Sequence, residues 1–336
     1  MSERTLDVSV VVPTHDRAEM LRQTIAAELT QAVRPREIIV VDNGDSAQAQ
    51  MIASEFGDAV IYVRAAGKGR DASRNLGIER AMSAWISLID DDDYHLPSFL
   101  ASVEEVIRDG RANVIITDQR WFDSDGPRKS TGFQGMPAGY WDGLGSPTEP
   151  WSFVDKFPVE RLLIRNPYEP GQMVVRKDLL LAAGAFDVTF PYPTGEILDL
   201  NARLLSAGRL AIIWKPLLMY RRHEGNATAD IFSMDYYKLR TFEFIQQRGS
   251  NLPEQFKSAL LADLPKRRRG TIRWAFERGD FAMARELLGE IPEGQRTVAQ
   301  KCMSYVMRAP APIARTVSWS APKVIRNATR LVRQTA

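Results

Sequence analysis

The chain has 336 residues, 44% of them hydrophobic, and its 44 basic and 42 acidic side chains leave a formal net charge of only +2. That is ample apolar material for a core, and too balanced a charge to suggest a nucleic-acid partner. A single cysteine, Cys302, excludes a disulfide framework and a cysteine-based zinc site, as suits a cytoplasmic protein, and with no signal segment and no apolar run of membrane-spanning length the chain is expected not to be integral to a membrane.

Residues 8–13 are a continuous β-branched run, expected as a buried strand that ends in Pro13-Thr14-His15-Asp16-Arg17 and leads into an amphipathic helix over about 18–30. Residues 37–41 make a second buried strand closing on Asp42-Asn43-Gly44-Asp45-Ser46, a turn-rich acidic tip. A helix over 47–56 and a strand over 59–63 follow. Alternation of strand and helix predicts a parallel α/β sheet, whose ligands bind at the C-terminal ends of its strands. In Gly67-Lys68-Gly69-Arg70-Asp71-Ala72-Ser73-Arg74-Asn75-Leu76-Gly77, small residues and cations open a helix. Backbone N–H groups with Lys68, Arg70 or Arg74 are candidates to hold an anionic phosphate, and a glycine turn carrying solvated basic residues is the plain alternative.

The apolar residues Ile86, Leu88 and Ile89 predict another buried strand, and four consecutive carboxylates end it: Asp90, Asp91, Asp92 and Asp93. In an extended backbone Asp90 and Asp92 point one way and Asp91 and Asp93 the other. Such crowded charge invites a hard divalent cation, Mn²⁺ or Mg²⁺, that also bridges substrate phosphates. The other reading is a solvated acidic turn in which Asp93 or Ser98 caps a helix over about 96–108.

These four features in this order resemble the nucleotide-binding half of family 2 glycosyltransferases, whose fold is the GT-A type. The resemblance is close over about 6–120 and looser to about 228. It implies a donor site built from Pro13, Thr14, Arg17, Asp42, Asn43, Lys68, Arg74, Asp90 and Asp91, with Thr14 and Asp42 at the nucleoside base and Arg74 holding the donor. It also makes Asp90 to Asp92 the Asp-X-Asp motif, with Asp90 near ribose or metal and Asp92 the principal metal ligand. The chain departs from the family in having Asp16 where Asn is frequent and Asn43 where a second Asp is common.

Residues 114–117 read as a further strand. Residues 121–155 read as irregular and rich in Gly and Pro, with Trp121, Phe133, Tyr140, Trp141 and Trp151 serving either an acceptor-binding loop or the loop's own packing. A strand over 171–176 and a helix over 179–184 lead to Gly184-Ala185-Phe186-Asp187, which again resembles the family ahead of its catalytic helix, here expected over 194–207. Family members usually start that helix with Glu-Asp, the Asp being the base. Alignment through Arg203 puts Glu196 on the Glu and Ile197 on that Asp. Glu196 and Asp199 lie three apart on one helical face, so Glu196 is expected as base with Asp199 in support; both serving the helix dipole is the alternative. A strand over 210–214 leads to Tyr220-Arg221-Arg222-His223, a segment that also recurs in the family, and His223 is a candidate metal ligand or diphosphate contact. His15 and His95 flank the motifs.

Beyond about 230 the resemblance stops. Helices are expected over 234–249 and 254–264, then the basic run 266–269 and a helical hairpin over 270–278 and 281–288. After Glu293 there is no acid, while Arg296, Lys301, Arg308, Arg315, Lys323, Arg326, Arg330 and Arg333 follow. Such a tail suits peripheral contact with anionic lipid or another acidic partner, packing on a partner subunit, or packing on its own domain. The expected architecture is α/β, a GT-A-like, mostly parallel sheet over 1–230 with a helical C-terminal region over 231–336. The resemblance implies metal-dependent, inverting sugar transfer from a UDP- or dTDP-linked donor to a saccharide or lipid-linked saccharide hydroxyl, in the making of cell-surface glycans. Two alternatives are a nucleotide-sugar or glycan binder without transfer, which Ile197 makes thinkable, and a sugar-phosphate nucleotidyltransferase.

Overall fold

The structure, a computed structural model, describes residues 4–65, 67–192, 195–223, 231–248 and 252–308. It divides into two compact units, Met1–Asp230 with Gly249–Phe256 and Ile231–Arg248 with Lys257–Ala336.

In the first unit, β1 (Thr5–Thr14) leads through α1 (Ala18–Leu29) to β2 (Arg34–Asp42), then α2 (Gln48–Glu55), β3 (Val60–Arg64), α3 (Arg70–Arg80), β4 (Trp85–Leu88), β5 (Tyr94–His95) and α4 (Phe99–Asp109). There follow β6 (Val114–Asp123), β7 (Gly126–Thr131), β8 (Trp151–Val154), α5 (Arg161–Ile164), β9 (Met173–Arg176), α6 (Lys177–Ala182), α7 (Gly195–Ala207) and β10 (Leu210–Arg221). The sheet runs β3-β2-β1-β4-β9-β6-β10-β5, with β7 on β6 and β8 on β10. Parallel pairing joins β3, β2, β1 and β4, and again β6 and β10. Strand β9 is wedged antiparallel between β4 and β6, so the parallel expectation holds for the N-terminal half and gives way to mixed pairing beyond it.

The β-branched runs are buried on both faces because helices cover each. Val8, Val10 and Val12 point to the side packed by α1, α2 and α4, and alternation sends Val11 to the other, under α3. There Gly77 brings the helix backbone onto the sheet, and a Cβ would meet Val11 Cγ1 at 2.3 Å and Val41 Cγ2 at 3.1 Å. Gly77→Ala is therefore expected to cost about 1–3 kcal/mol by overpacking, despite the better helix propensity of Ala, read as a lower melting temperature.

Residues 121–155 are more ordered than their composition suggests. Strand β6 runs on to Asp123 and forms a hairpin with β7, and β8 joins the first half of β10. The aromatics of this stretch pack mainly on one another: Trp141 lies 4.5 Å from Phe133 and 5.4 Å from Trp214 between ring centroids. Of the two readings of these rings, internal packing describes Phe133, Tyr140 and Trp141. Strand β10 is interrupted near Pro216, where its register shifts, yet it continues to Arg221 and carries Tyr220 and its neighbours back toward β5.

The second unit holds α8 (Ile231–Arg248), most of α9 (Glu254–Glu277), α10 (Phe281–Gly289) and α11 (Val298–Val306). Its core gathers Leu239, Ile272, Phe276, Leu287 and Met303. The helix expected to stop at 264 instead runs through Pro265 and the basic run to Glu277. Leu264, Ile272 and Phe276 reach one core from both sides of the proline, and Arg267 pairs with Asp263 one turn back at 2.9 Å. Among the described residues no helix is long and apolar enough to cross a membrane. The basic stretch beyond 308, with Trp319, lies outside the described residues.

Candidate functional site

Strand register brings the motifs together. β1 pairs in parallel with both neighbours, Thr14 opposite Asp42 and Val11 opposite Leu88, so the C-terminal ends of β1, β2 and β4 open on one edge. Past β4 the chain does not stay extended. Asp93 N–H donates to the Asp90 carbonyl at 3.2 Å, closing a turn, and the alternation expected for the four carboxylates is lost. Asp91 and Asp92 instead share one guanidinium, Arg17 Nη1, at 3.0 and 2.7 Å. Asp91 Oδ2 also accepts from the Thr14 hydroxyl at 2.7 Å and His15 N–H at 3.3 Å. Asp93 Oδ1 accepts Arg221 N–H at 2.8 Å, which ties the turn to the end of β10. The capping reading is not met, since Ser98 precedes α4 without a side-chain cap.

Arg74, in the first turns of α3, is 1% exposed and donates Nη2 to Asp90 at 2.6 Å and Nη1 to Asp71 at 3.1 Å. Burial pushes the Asp90 carboxyl up, but Arg74 and Arg70 outweigh it and hold it below its ordinary value. Burial dominates at Asp91, raised to about 6 against the pull of Thr14 and Arg17. It also raises Asp93, where Asp92 and Asp90 add to it.

These residues line a cavity of about 430 Å³. Its walls carry five carboxylates, Asp90 to Asp93 and Glu169, against the guanidiniums of Arg17, Arg70 and Arg74, a formal excess of two negative charges that one divalent cation would offset. Beside it, His223 Nε2 lies 2.9 Å from Asp92 Oδ2. Among the described residues no three His, Cys, Asp or Glu side chains form a ready-made metal cluster. Asp92 and His223 are nonetheless two converging donors, a hard oxygen and an imidazole, and a cation that keeps waters and takes phosphate oxygens needs few protein ligands. The residues present fit such an ion at Asp92 and His223, whereas Asp90 is taken up by Arg74.

Of the residues expected from sequence, Pro13, Thr14, Arg17, Asn43, Arg74, Asp90, Asp91 and Asp92 line this one cavity. Asp42 does not: it is fully buried, its Oδ1 accepting Gly44 N–H at 2.8 Å and its Oδ2 the Tyr62 hydroxyl at 2.7 Å and Arg64 at 2.6 Å. Asn43 Oδ1 accepts Gly69 N–H at 2.8 Å, tying the β2 tip to the start of α3. Lys68 is exposed and off the lining. Glu196 is buried against Arg70, Oε1 to Nη2 at 2.6 Å, and Asp199 Oδ2 takes Arg203 Nε and Nη2 at 2.9 and 2.7 Å. Neither helix carboxylate opens on the cavity, where Ile197 stands instead. His95 is core: Nδ1 faces Glu28 at 2.8 Å and its ring stacks on Phe99. Glu169 and Tyr220 also line the cavity, and Glu169, a lone acid in a loop, carries no sequence motif that marks it.

Residues 9–169 match the model of glycosyl transferase family 2. An uncharacterized glycosyltransferase of Rickettsia prowazekii (strain Madrid E) is 30% identical over 91 residues, 27% of this chain and 29% of that protein. Chondroitin synthase of Escherichia coli is 29% identical over 122 residues, 35% of this chain and 18% of that one. The chain thus spans under a third of the length of these relatives. Among solved structures, Staphylococcus aureus TarS 1-349 in complex with UDP-GlcNAc superposes with a TM-score of 0.62 at 16% identity, over 95% of this chain and 92% of that one. That likeness concerns the fold, and it is the GT-A-like α/β arrangement of a sheet flanked by helices. With four strand-end motifs gathered at one cavity and the family model covering them, residues 9–169 of this chain are similar to glycosyl transferase family 2.

Proposed function

We infer that the chain is a glycosyltransferase that moves a sugar from a nucleotide-activated donor to an acceptor hydroxyl, with inversion at the anomeric carbon. The observation that carries this reading is the carboxylate turn Asp90 to Asp93 facing Arg17, Arg70 and Arg74 across one cavity. Its size suits a nucleoside diphosphate with part of its sugar. A sugar of the UDP or dTDP series is the donor class the family supports, and a saccharide or lipid-linked saccharide is the acceptor class.

In this reading Thr14 and Asn43 flank the nucleoside, at the tips of β1 and β2. Arg74 fixes Asp90, and Arg17 bridges Asp91 and Asp92, so the turn is preorganised before donor arrives. Asp92 and His223 are the residues that would hold Mn²⁺ or Mg²⁺, which supplies charge neutralisation for a leaving diphosphate. The bound geometry would hold the reacting atoms in line.

The test is a thermal-shift screen of UDP, dTDP and their sugars, each with and without Mn²⁺. Metal-dependent stabilisation by one nucleotide series is expected, about 2.7 kcal/mol when ligand exceeds its Kd a hundredfold. Ile197 at the family's base position favours one second reading, a protein that binds nucleotide sugar without transferring it. Binding with no turnover would select that reading; no response to any nucleotide would remove both.

A further inference from the structure

Glycosyl transfer needs a group to accept the proton of the incoming hydroxyl. Ile197 cannot, and the two carboxylates of α7 are committed elsewhere. Glu196 is 2% exposed and paired with Arg70. Asp199 is held by two nitrogens of Arg203, whose third nitrogen reaches the carbonyls of Ala183 and Ala185.

We propose that Glu169, in the loop ahead of β9, is the catalytic base of this chain, an inference that rests on the glycosyl-transfer reading above. β9 runs antiparallel to β4 with Ser87 opposite Val174, so the residues just ahead of β9 stand at the same end of the sheet as Asp90 to Asp93. Glu169, Pro170 and Gly171 line the cavity beside Ile197. A base displaced from the helix start thus returns from the neighbouring strand.

The loop that carries it is held by buried groups. Glu169 N–H donates to Gln172 Oε1 at 3.0 Å, and Gln172 Nε2 donates to the Thr117 carbonyl at 2.7 Å. His95 Nε2 meets the Gly171 carbonyl at 2.8 Å, and its Nδ1 meets Glu28 at 2.8 Å. Among the described residues no cation lies within ion-pair distance of the Glu169 carboxylate. Burial pushes that carboxyl up to about 7, with Glu196 and Asp90 adding to the rise and Arg74 and Arg70 opposing it. A proton affinity in that range matches a general base working near neutral pH.

In the step itself the acceptor oxygen bonds to the anomeric carbon as the bond from that carbon to the diphosphate oxygen breaks. The electron pair leaves with the diphosphate, and the acceptor's proton passes to the Glu169 carboxylate.

The experiment measures nucleoside diphosphate release from UDP-N-acetylglucosamine and from the UDP- and dTDP-sugars of the screen, with water or sugar acceptors. Glu169→Gln is expected to lower kcat by about 10²–10⁴ while leaving nucleotide and Mn²⁺ stabilisation unchanged. Azide carries no proton to remove, so adding it to Glu169→Ala is expected to restore release as a glycosyl azide forms. A Glu169→Gln enzyme within about threefold of wild-type kcat would overturn the assignment. So would failure of azide to restore release in a variant that still binds UDP and melts normally. If the wild type binds the donors but releases no nucleoside diphosphate from any of them, the transfer reading falls first and the base with it.

Discussion

Asp92→Asn is expected to lower turnover roughly a thousandfold, about 4 kcal/mol of lost transition-state stabilisation, and to erase Mn²⁺-dependent stabilisation by nucleoside diphosphate. The reason is local. Asp92 Oδ2 meets both Arg17 Nη1, at 2.7 Å, and His223 Nε2, at 2.9 Å, a carboxylate oxygen that faces an imidazole. Asn keeps the shape and an oxygen for Arg17 but removes the charge. A divalent cation thereby loses its anionic anchor. The melting temperature without ligand should move little, because Arg17 retains Asp91. Measuring turnover together with the UDP-induced thermal shift, with and without Mn²⁺, separates these outcomes. Turnover within tenfold of wild type in the presence of metal would rule out this role for Asp92.

Much of this arrangement was legible in the sequence, and the reasons are physical. Strands β1, β2 and β4 are continuous apolar runs bounded by polar tips, so their ends fell within a few residues of the observed ones. Parallel register then put Thr14, Asp42 and Asp90 on one edge without further information. The failures share a cause, since each is decided by contacts distant in sequence. A composition rich in Gly and Pro hid β7 and β8, which exist because β6 and β10 present them with hydrogen-bonding edges. Pro265 reads as a break, yet Leu264, Ile272 and Phe276 on either side of it join one core with α8 and α10 and hold one helix together. Glu196 and Asp199 lie on one helical face, and the pairing of Asp199 with Arg203 four residues on follows from that spacing, but the partner of Glu196, Arg70, comes from a distant helix that spacing does not reveal. The same holds for Glu169, whose position depends on the antiparallel seating of β9.

Arg74→Met should be the most damaging single change to stability outside the hydrophobic core. The side chain is fully buried, with its guanidinium on Asp90 and Asp71 and 5.1 Å from the centre of the Phe186 ring. Met fills the volume of the stem but leaves Asp90 without its partner. Removing one member of a buried pair costs about 3–5 kcal/mol. Asp90 retains 33% exposure of its side chain, and water screens part of that loss, so about 2–4 kcal/mol is expected. The pH dependence carries the sign. In the wild type, Asp90 titrates below its ordinary value and so adds stability above the ordinary carboxylate range, which is lost as pH falls. In the variant, burial is opposed only by Arg70 and Arg17, and the carboxyl moves up from its wild-type position. The penalty is then largest near neutral pH and shrinks as pH falls toward the carboxylate range. Denaturation of wild type, Arg74→Met, Asp90→Asn and the double variant at two pH values reads the coupling directly. If the pair dominates, Asp90→Asn relieves most of the Arg74→Met loss. Additive losses, unchanged between the two pH values, would instead assign the cost to packing against Phe186.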